Sequence, residues 1–438
     1  MIRKILTERM GINGRNKGLI IVAVLWVVMI LNVIVAALGH NSRLDMKVRQ
    51  VRTEEYRCEW ACRAGIETAI GLLNEDIRAS DCLTDLWSDN DEDLNNVSIE
   101  QCRFNVRVID ESGKLNINTA TRSQLLVLPY MEPYIADAII DWRDENDTIS
   151  GEGVESGYYQ NLPFRYTIRN GPFKTIRELL LVKDVTEQMF YGEDTNLNEE
   201  LDYNEKDGTR SPPADDGDDE LDEGWIAYLS CYSYDRNADA EGSGRTNVNQ
   251  ADEGQLETSL GIKRSVARWI VQRRENNRFE SIADLIDNDS PVKPAESSEG
   301  DSEPLDLQTF SQIADRITVD NNMQIPGKVN VNTASKEVLT ALFGSGDEAV
   351  QIADNIIAYR RSLIGGMQSI AELLNVLSID NFKRIASLVT TRSNVFTVRC
   401  FAAADRGGSD GVTLLTEVVV DRSSNPCRIL YWYQGAGN

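Results

Sequence analysis

The sequence predicts an α+β protein: one long N-terminal helix, a small antiparallel β-sheet drawn largely from the C-terminal end, and a large, mainly α-helical insertion between them. An apolar run from Leu19 to Leu38 continues into helically spaced apolar residues as far as Leu73. Three β-branched, partly alternating runs close the chain: NVFTVRCFAAA, GVTLLTEVVVDR and CRILYWYQ. Between these ends one short motif recurs three times, each copy followed by helical patterns.

The first element is the helix. Residues 1–18 carry Arg3, Lys4, Arg9, Arg15 and Lys17 against Glu8 alone. The apolar run that follows is long enough, at about 1.5 Å per residue, to cross a hydrocarbon core of roughly 30 Å, and its basic flank keeps the N-terminal end cytoplasmic. Residues 19–40 are therefore expected to be a single-pass membrane helix with the bulk of the chain outside. A cleaved secretory signal is the competing reading, opposed by what comes next. Apolar residues recur at Leu44, Val48, Val51, Cys58, Cys62, Ile66, Ile70 and Leu73, with one slot missed at Glu55. That spacing predicts one helix from about Leu19 to Asn74, its second half presenting a stripe to a soluble domain. Residues 41–110 supply that half and an earlier strand, CRFNVRVID, at Cys102 to Asp110; residues 391–438 supply the remaining strands.

Composition excludes several functions. The 438 residues hold 45 Lys plus Arg against 70 Asp plus Glu, a formal charge of -25. A net-acidic surface repels phosphate, so nucleic acid is an unlikely partner. The single histidine, His40, nearly removes His-based triads and His-ligated zinc. No residue set supports catalysis, and the chain reads as a non-enzyme. Of seven cysteines, Cys58 and Cys62 share the helical stripe and read as buried thiols. Cys82 with Cys102, and Cys400 with Cys427, are candidate bridges in an exported domain, with Cys231 left over and the connectivity open.

The insertion, residues 111–390, is organised by its repeats. Lys114–Ala120 reads KLNINTA, Thr246–Ala251 reads TNVNQA and Lys328–Ala334 reads KVNVNTA. A second start follows in each: PFKTIRELLLV, RFESIADLI and GMQSIAELLNV. The pattern implies an Asn/Thr helix cap, a short helix, a tight turn and a second helix, and it resembles the helix-hairpin-helix unit. Such units often bind DNA through turn glycines. The first copy has Leu128-Pro129-Tyr130-Met131-Glu132 at its turn; only Gly261 in the second, and Gly344 and Gly346 in the third, suit a phosphate. A helical domain used for protein contacts is the preferred reading. A membrane-anchored, competence-like DNA-binding protein is the alternative.

Residues 194–224 form an acidic loop, DTNLNEELDYNEKDGTRSPPADDGDDELDEG. Asp194, Asn196, Asn198, Glu200, Asp202 and Glu205 fall at positions one, three, five, seven, nine and twelve of an EF-hand-like loop, the spacing that turns oxygen ligands toward one calcium ion. Glu199 takes the sixth place, where glycine normally allows the sharp turn. A second cluster holds Asp215, Asp216, Asp218, Asp219 and Asp222, of which Asp216, Asp218 and Asp222 are the candidate ligands. Calcium is the expected cofactor, with a structural role: packed carboxylates repel until a cation joins them. The segment Asp287–Asp306 lacks such spacing and reads as a surface loop.

Lys17-Gly18, the run LIIVAVLWVVMILNVIVAAL and the amphipathic continuation together resemble a type IV pilin-like precursor. The resemblance implies cleavage by a prepilin peptidase between Gly18 and Leu19, methylation of the new N-terminus, and a pilin-like fold. Most such proteins carry glutamate at the fifth mature position; here it is Ala23. That departure, the NTA-like repeats, DESGKLNINTA from Asp110 and ESGYYQNLPFRYTIRNGPFKTIRELLLV from Glu155 resemble the minor pseudopilin K family of type II secretion systems. The resemblance implies an inner-membrane protein with a periplasmic bulk. It implies a place at the pseudopilus tip beside other minor pseudopilins, assembly on the inner-membrane platform, and a role in starting that assembly for export of folded proteins.

Overall fold

The structure, a computed structural model, describes residues 14–198, 200–286, 302–405 and 411–436. Residues 1–13 of the expected leader, Glu199 of the acidic loop, residues 287–301 of the Asp287–Asp306 loop and the last two residues lie outside the described residues. The architecture is α+β, with a long N-terminal helix against an antiparallel sheet.

One helix runs from Gly14 to Glu75, about 93 Å at the standard rise. Its buried face is Cys58, Ala61, Cys62, Ile66, Ala69 and Leu73, which, apart from the adjacent Ala61 and Cys62, recur every three or four residues and keep one side turned to the sheet. Gly65 sits where helix and sheet come closest: a Cβ there would lie 2.7 Å from Val106 Cγ2 and 3.0 Å from the Phe104 ring. The expected stripe is corrected at its start, because Leu44, Val48 and Val51 are exposed and burial begins at Glu54. The cause is length. The helix covered from residue 54 to 73 and a nine-residue strand each measure about 30 Å, so the stripe overruns the sheet.

The sheet has five strands in the order Val97–Ile99, Cys102–Asp110, Val395–Ala404, Thr413–Asp421 and Arg428–Ala436, all antiparallel. Phe104, Val106, Val108, Phe396, Val398, Cys400, Ala402, Val418 and Val420 pack with the helix in one apolar cluster, closed by Trp87 edge-on to Phe396. Asp110 pairs with Phe396, so the chain leaves and re-enters the sheet at neighbouring points, and everything between is looped out from there.

The loop-out is built of three units, each closed by a two-residue parallel pairing. Leu115–Asn116 pairs with Leu229–Ser230, Thr246–Asn247 with Ile317–Thr318, and Val329–Asn330 with Val389–Thr390. Inside each lies a helix pair: Arg122–Leu125 with Pro133–Arg143, Glu253–Leu260 with Arg264–Asn276, and Lys336–Phe343 with Asp347–Arg361. The helix caps are Thr121, Asp252 and Ser335, so the motif asparagines are not the caps they were expected to be.

The asparagines do two other jobs. Asn116, Asn247 and Asn330 each accept, through Oδ1, the N–H two residues on. Asn118, Asn249 and Asn332 each clamp a distant backbone from both sides, donating to the carbonyl and accepting the N–H of Phe173, Phe279 and Met367 respectively. A side-chain amide thus replaces a strand neighbour where no strand continues, and it satisfies both the N–H and the carbonyl of the residue it clamps. Arg143, Arg274 and Arg360, at the ends of the second helices, each donate to two motif carbonyls: Ile117 and Ala120, Val248 and Ala251, Val331 and Ala334. The units share one large apolar core, distinct from that of helix and sheet.

Candidate functional site: membrane helix and acidic loop

Gly18 and Leu19 lie within the continuous helix, both exposed, Leu19 to 73 %. From there to Leu38 every residue is exposed, including Ala23, Trp26 and Ile30. Among the described residues this is the one helix long and apolar enough to cross a membrane. Water is a poor solvent for such a surface, so this stretch requires lipid or neighbouring helices.

The acidic loop is pinned at its base. Glu193 N donates to Asp222 O (2.9 Å), and Asp222 N donates back to the Glu193 carboxylate (3.0 Å). Gly192, at φ +72°, allows this crossing, because a Cβ there would lie 2.1 Å from Asp222 O. Within the first half, the predicted residues converge. Asp194 accepts from Asn198 N (3.0 Å), and the Asn196 and Asn198 amides both donate to Asp202 Oδ2 (2.8 and 3.0 Å). Asp202 N in turn donates to Glu205 Oε2 (3.0 Å). Glu205 is buried, and its Oε1 has no partner among the described residues. Burial, then the charges of Asp194 and Asp202, push its carboxyl above the ordinary carboxylate range. Glu200 is exposed, which the seventh place, a backbone-carbonyl ligand, permits.

The second cluster is open. Asp216, Asp218 and Asp222 are exposed. Asp216 and Asp218 accept the backbone N–H two residues on, and Asp222 Oδ2 lies 3.4 Å from the Tyr130 hydroxyl. The donor set of the first half, carboxylates and amide oxygens without nitrogen or sulfur, fits a hard cation of the calcium class; the second half is less gathered.

Two tighter carboxylate groups escaped the sequence reading. Asp76, Asp81 and Asp85 bring one oxygen each within 4.8 Å of one another, and Arg422 neutralises them by binding Asp76 (2.8 Å) and Asp81. Asp141, Asp144 and Glu155 are gathered equally closely, with no Lys or Arg bridging to them among the described residues. Burial first, then Asp141, Asp144 and Asp147, push Glu155 up to about 7. The available signal was the spacing of Asp144, Asn146, Thr148 and Glu155, positions one, three, five and twelve of a second calcium-type loop.

The cysteines depart from expectation. Cys58 and Cys62 are buried thiols as read, but Cys102 Sγ lies 3.8 Å from Cys58 Sγ, not by Cys82, which sits against Thr84 and Asp85. Cys400 is beside Cys62, while Cys427 donates to Asn74 Oδ1 (3.2 Å). Cys102 and Cys400 face the helix from inner strands, which keeps them from their expected partners. Of the three turns of the helix pairs, Tyr130 takes the positive-φ position of the first (φ +58°), Asp347 and Glu348 open the helix after the third, and Lys263 in the second pairs with Glu303.

Residues 102–191 and residues 329–393 each match a family model described as type II secretion system (T2SS), protein K. The first covers the second strand and the first unit as far as Tyr191; the second covers the third unit. No curated protein matches the chain. A solved structure, the GspK-GspI-GspJ complex from the enterotoxigenic Escherichia coli type 2 secretion system, aligns over 88 % of this chain and 98 % of that one, at 12 % identity and a TM-score of 0.46. Two separate segments, in order along one chain, thus match models of one and the same family, type II secretion system protein K.

Proposed function

We propose that this chain is a structural, non-catalytic subunit at the tip of a type II secretion pseudopilus, where it joins other minor pseudopilins and helps start assembly on the inner-membrane platform. In this reading a prepilin peptidase removes residues 1–18, Leu19 becomes the methylated N-terminus, residues 19–40 span the inner membrane once, and the bulk stands in the periplasm.

The observation that carries the reading is the helix itself. Its first half exposes apolar residues on every side while its second half is packed on a sheet, so one element links a lipid or helix-packed environment to a soluble body. Bulk supports the tip. A three-unit insertion on one side of the sheet obstructs neighbours in a helically packed shaft, whereas a tip has space above it. Ala23 supports a specialised position too: a carboxylate buried in lipid persists only when paired, and a subunit without one has given up that pairing. The three helix pairs we read as helix-hairpin-helix repeats adapted to protein contacts. Calcium bound by Asp194, Asn196, Asn198, Glu200, Asp202 and Glu205 would order the acidic loop, with Asp216, Asp218 and Asp222 as a second, looser set.

Deleting the gene for this chain is expected to abolish export of folded substrates across the outer membrane, with restoration by the full chain but not by a version lacking residues 19–40. Undiminished export without the chain would overturn the proposal.

A further inference from the structure

The helix Gly14–Glu75 meets the sheet over a limited length, and the rim of that contact nearest the apolar run is built around sulfur. Burial along the helix begins at Glu54, and the next buried position is Cys58. Further along, Gly65 lies by Phe104 and Val106, so the strand Cys102–Asp110 presents its first residue at this rim. Cys102 is buried there, its Sγ 3.8 Å from Cys58 Sγ. Arg57 and Gln101, the residues just before them, hydrogen-bond across the same gap.

The other sulfurs are engaged elsewhere. Cys62, one turn on, has Cys400 as its neighbour and donates to that residue's carbonyl (3.4 Å). Cys82 lies against Thr84 and Asp85, Cys427 donates to Asn74 Oδ1, and Cys231 packs with the inserted units. Cys58 and Cys102 face one another directly, either able to give its proton to the other.

The compartment decides what such a pair becomes. In the reading proposed above the domain folds in the periplasm, where thiol pairs within reach are oxidised. A disulfide holds its sulfurs about 2.05 Å apart, and side chains on two facing elements close the remaining gap by rotating. Once the fold is complete the thiols are inert: burial, then the neighbouring Cys102, pushes Cys58 up to about 12, and the thiolate is the reactive form. Oxidation therefore belongs to folding, before the core closes.

We infer, resting on that reading, that Cys58 and Cys102 are joined by a disulfide bond that staples the long helix to the sheet at the membrane-proximal rim of their contact. The two thiols give up two protons and two electrons to the disulfide of an exchange partner, which leaves as a dithiol. The bond links positions 44 residues apart and so removes freedom from the unfolded chain. It also acts where the contact is weakest. Packed elements open first at their edges, and Leu44, Val48 and Val51 beyond this edge are exposed. A force carried along the helix from the membrane reaches the staple before it reaches Ile66 or Leu73.

The test takes the full chain from its own membranes in detergent, with free thiols blocked at lysis, and maps it by mass spectrometry after cleavage at Arg and Glu. Cuts at Arg57, Glu59, Glu100 and Arg103 separate Cys58 from Cys62 and Cys102 from Cys82. The expected product is Cys58-Glu59 joined to Gln101-Cys102-Arg103, released by reductant. Hydrogen exchange of residues 54–62 should be about tenfold faster in a chain folded under reductant than in the oxidised one. Cys102→Ala should show the faster rate with or without reductant; if it misfolds, the two wild-type measurements read the same effect. Free thiols at both Cys58 and Cys102 in the native chain would overturn the bond, and equal exchange in the oxidised and reduced chains would overturn its role as a staple. Protease added outside spheroplasts separates the causes of a free-thiol result. A digested domain leaves the periplasmic placement standing and condemns the staple alone, whereas a protected domain means that the placement itself has failed.

Discussion

The two faces of the one sheet are held in opposite ways. Toward the long helix the contact is apolar: Ile66, Ala69 and Leu73 lie against Val106, Val398 and Val418. Toward the inserted units it is charged. Glu417 binds Arg399 (2.8 Å) and Arg177 (3.3 Å), Arg177 lies over the Tyr433 ring (4.3 Å), and Glu111 takes a proton donor from both Lys114 (3.0 Å) and Thr397 (2.7 Å). Apolar contact is strong but tolerant of sliding, whereas buried ion pairs tolerate little misplacement. The helix is thus attached by area and the insertion by geometry, which fixes the orientation of the inserted units on the sheet.

The contrast predicts an ordered set of losses, measurable by urea unfolding of the detergent-solubilised chain. Glu417→Ala removes the buried carboxylate that Arg399 and Arg177 share and should cost about 3–5 kcal/mol. The same pair predicts an acid response. Burial alone would raise the Glu417 carboxyl, but Arg399, Arg177 and Lys114 outweigh it and hold it below its ordinary 4.5. Its contribution is therefore present above that value and lost as pH falls through the depressed folded one, and Glu417→Gln should flatten that part of the acid profile.

On the apolar face, Leu73→Ala should cost about 2–5 kcal/mol with no comparable dependence on pH. If both substitutions show the same pH profile, the distinction between the faces fails. Within the units, Asn332→Ala leaves the Met367 N–H and carbonyl unpaired in a buried place and should cost about 1–3 kcal/mol. Smallest of all, Val48→Ala, on the exposed overrun of the same helix, should stay within about 0.5 kcal/mol. A loss at Val48 as large as that at Leu73 would mean that the helix is packed where the structure leaves it open.

Periodicity made the helix and the sheet legible, since both alternate or repeat over many residues; Cys102–Asp110 and the C-terminal strands fall where the apolar patterns put them. It could not say where the sheet ends along the helix, so Leu44, Val48 and Val51 were read as contacts. The three motifs stood out, but their mechanism did not. An asparagine before a helix reads as a cap, and only the fold shows that its amide reaches Phe173, Phe279 or Met367 from tens of residues away. The two-residue pairings that close each unit are too short to carry any pattern. The acidic loop was visible because its charge is consecutive. Glu155 stands at the twelfth place of a calcium-type spacing that begins at Asp144, but nothing in that spacing sets the buried Asp141 beside it.

The central claim is that the helix belongs to two environments, with Leu19 as its mature start in the membrane. Mass spectrometry of the protein from its own membranes tests this directly. A polypeptide beginning at Leu19 with a methylated amine is the predicted result, and an intact Met1, or a start beyond Leu38, would contradict the account.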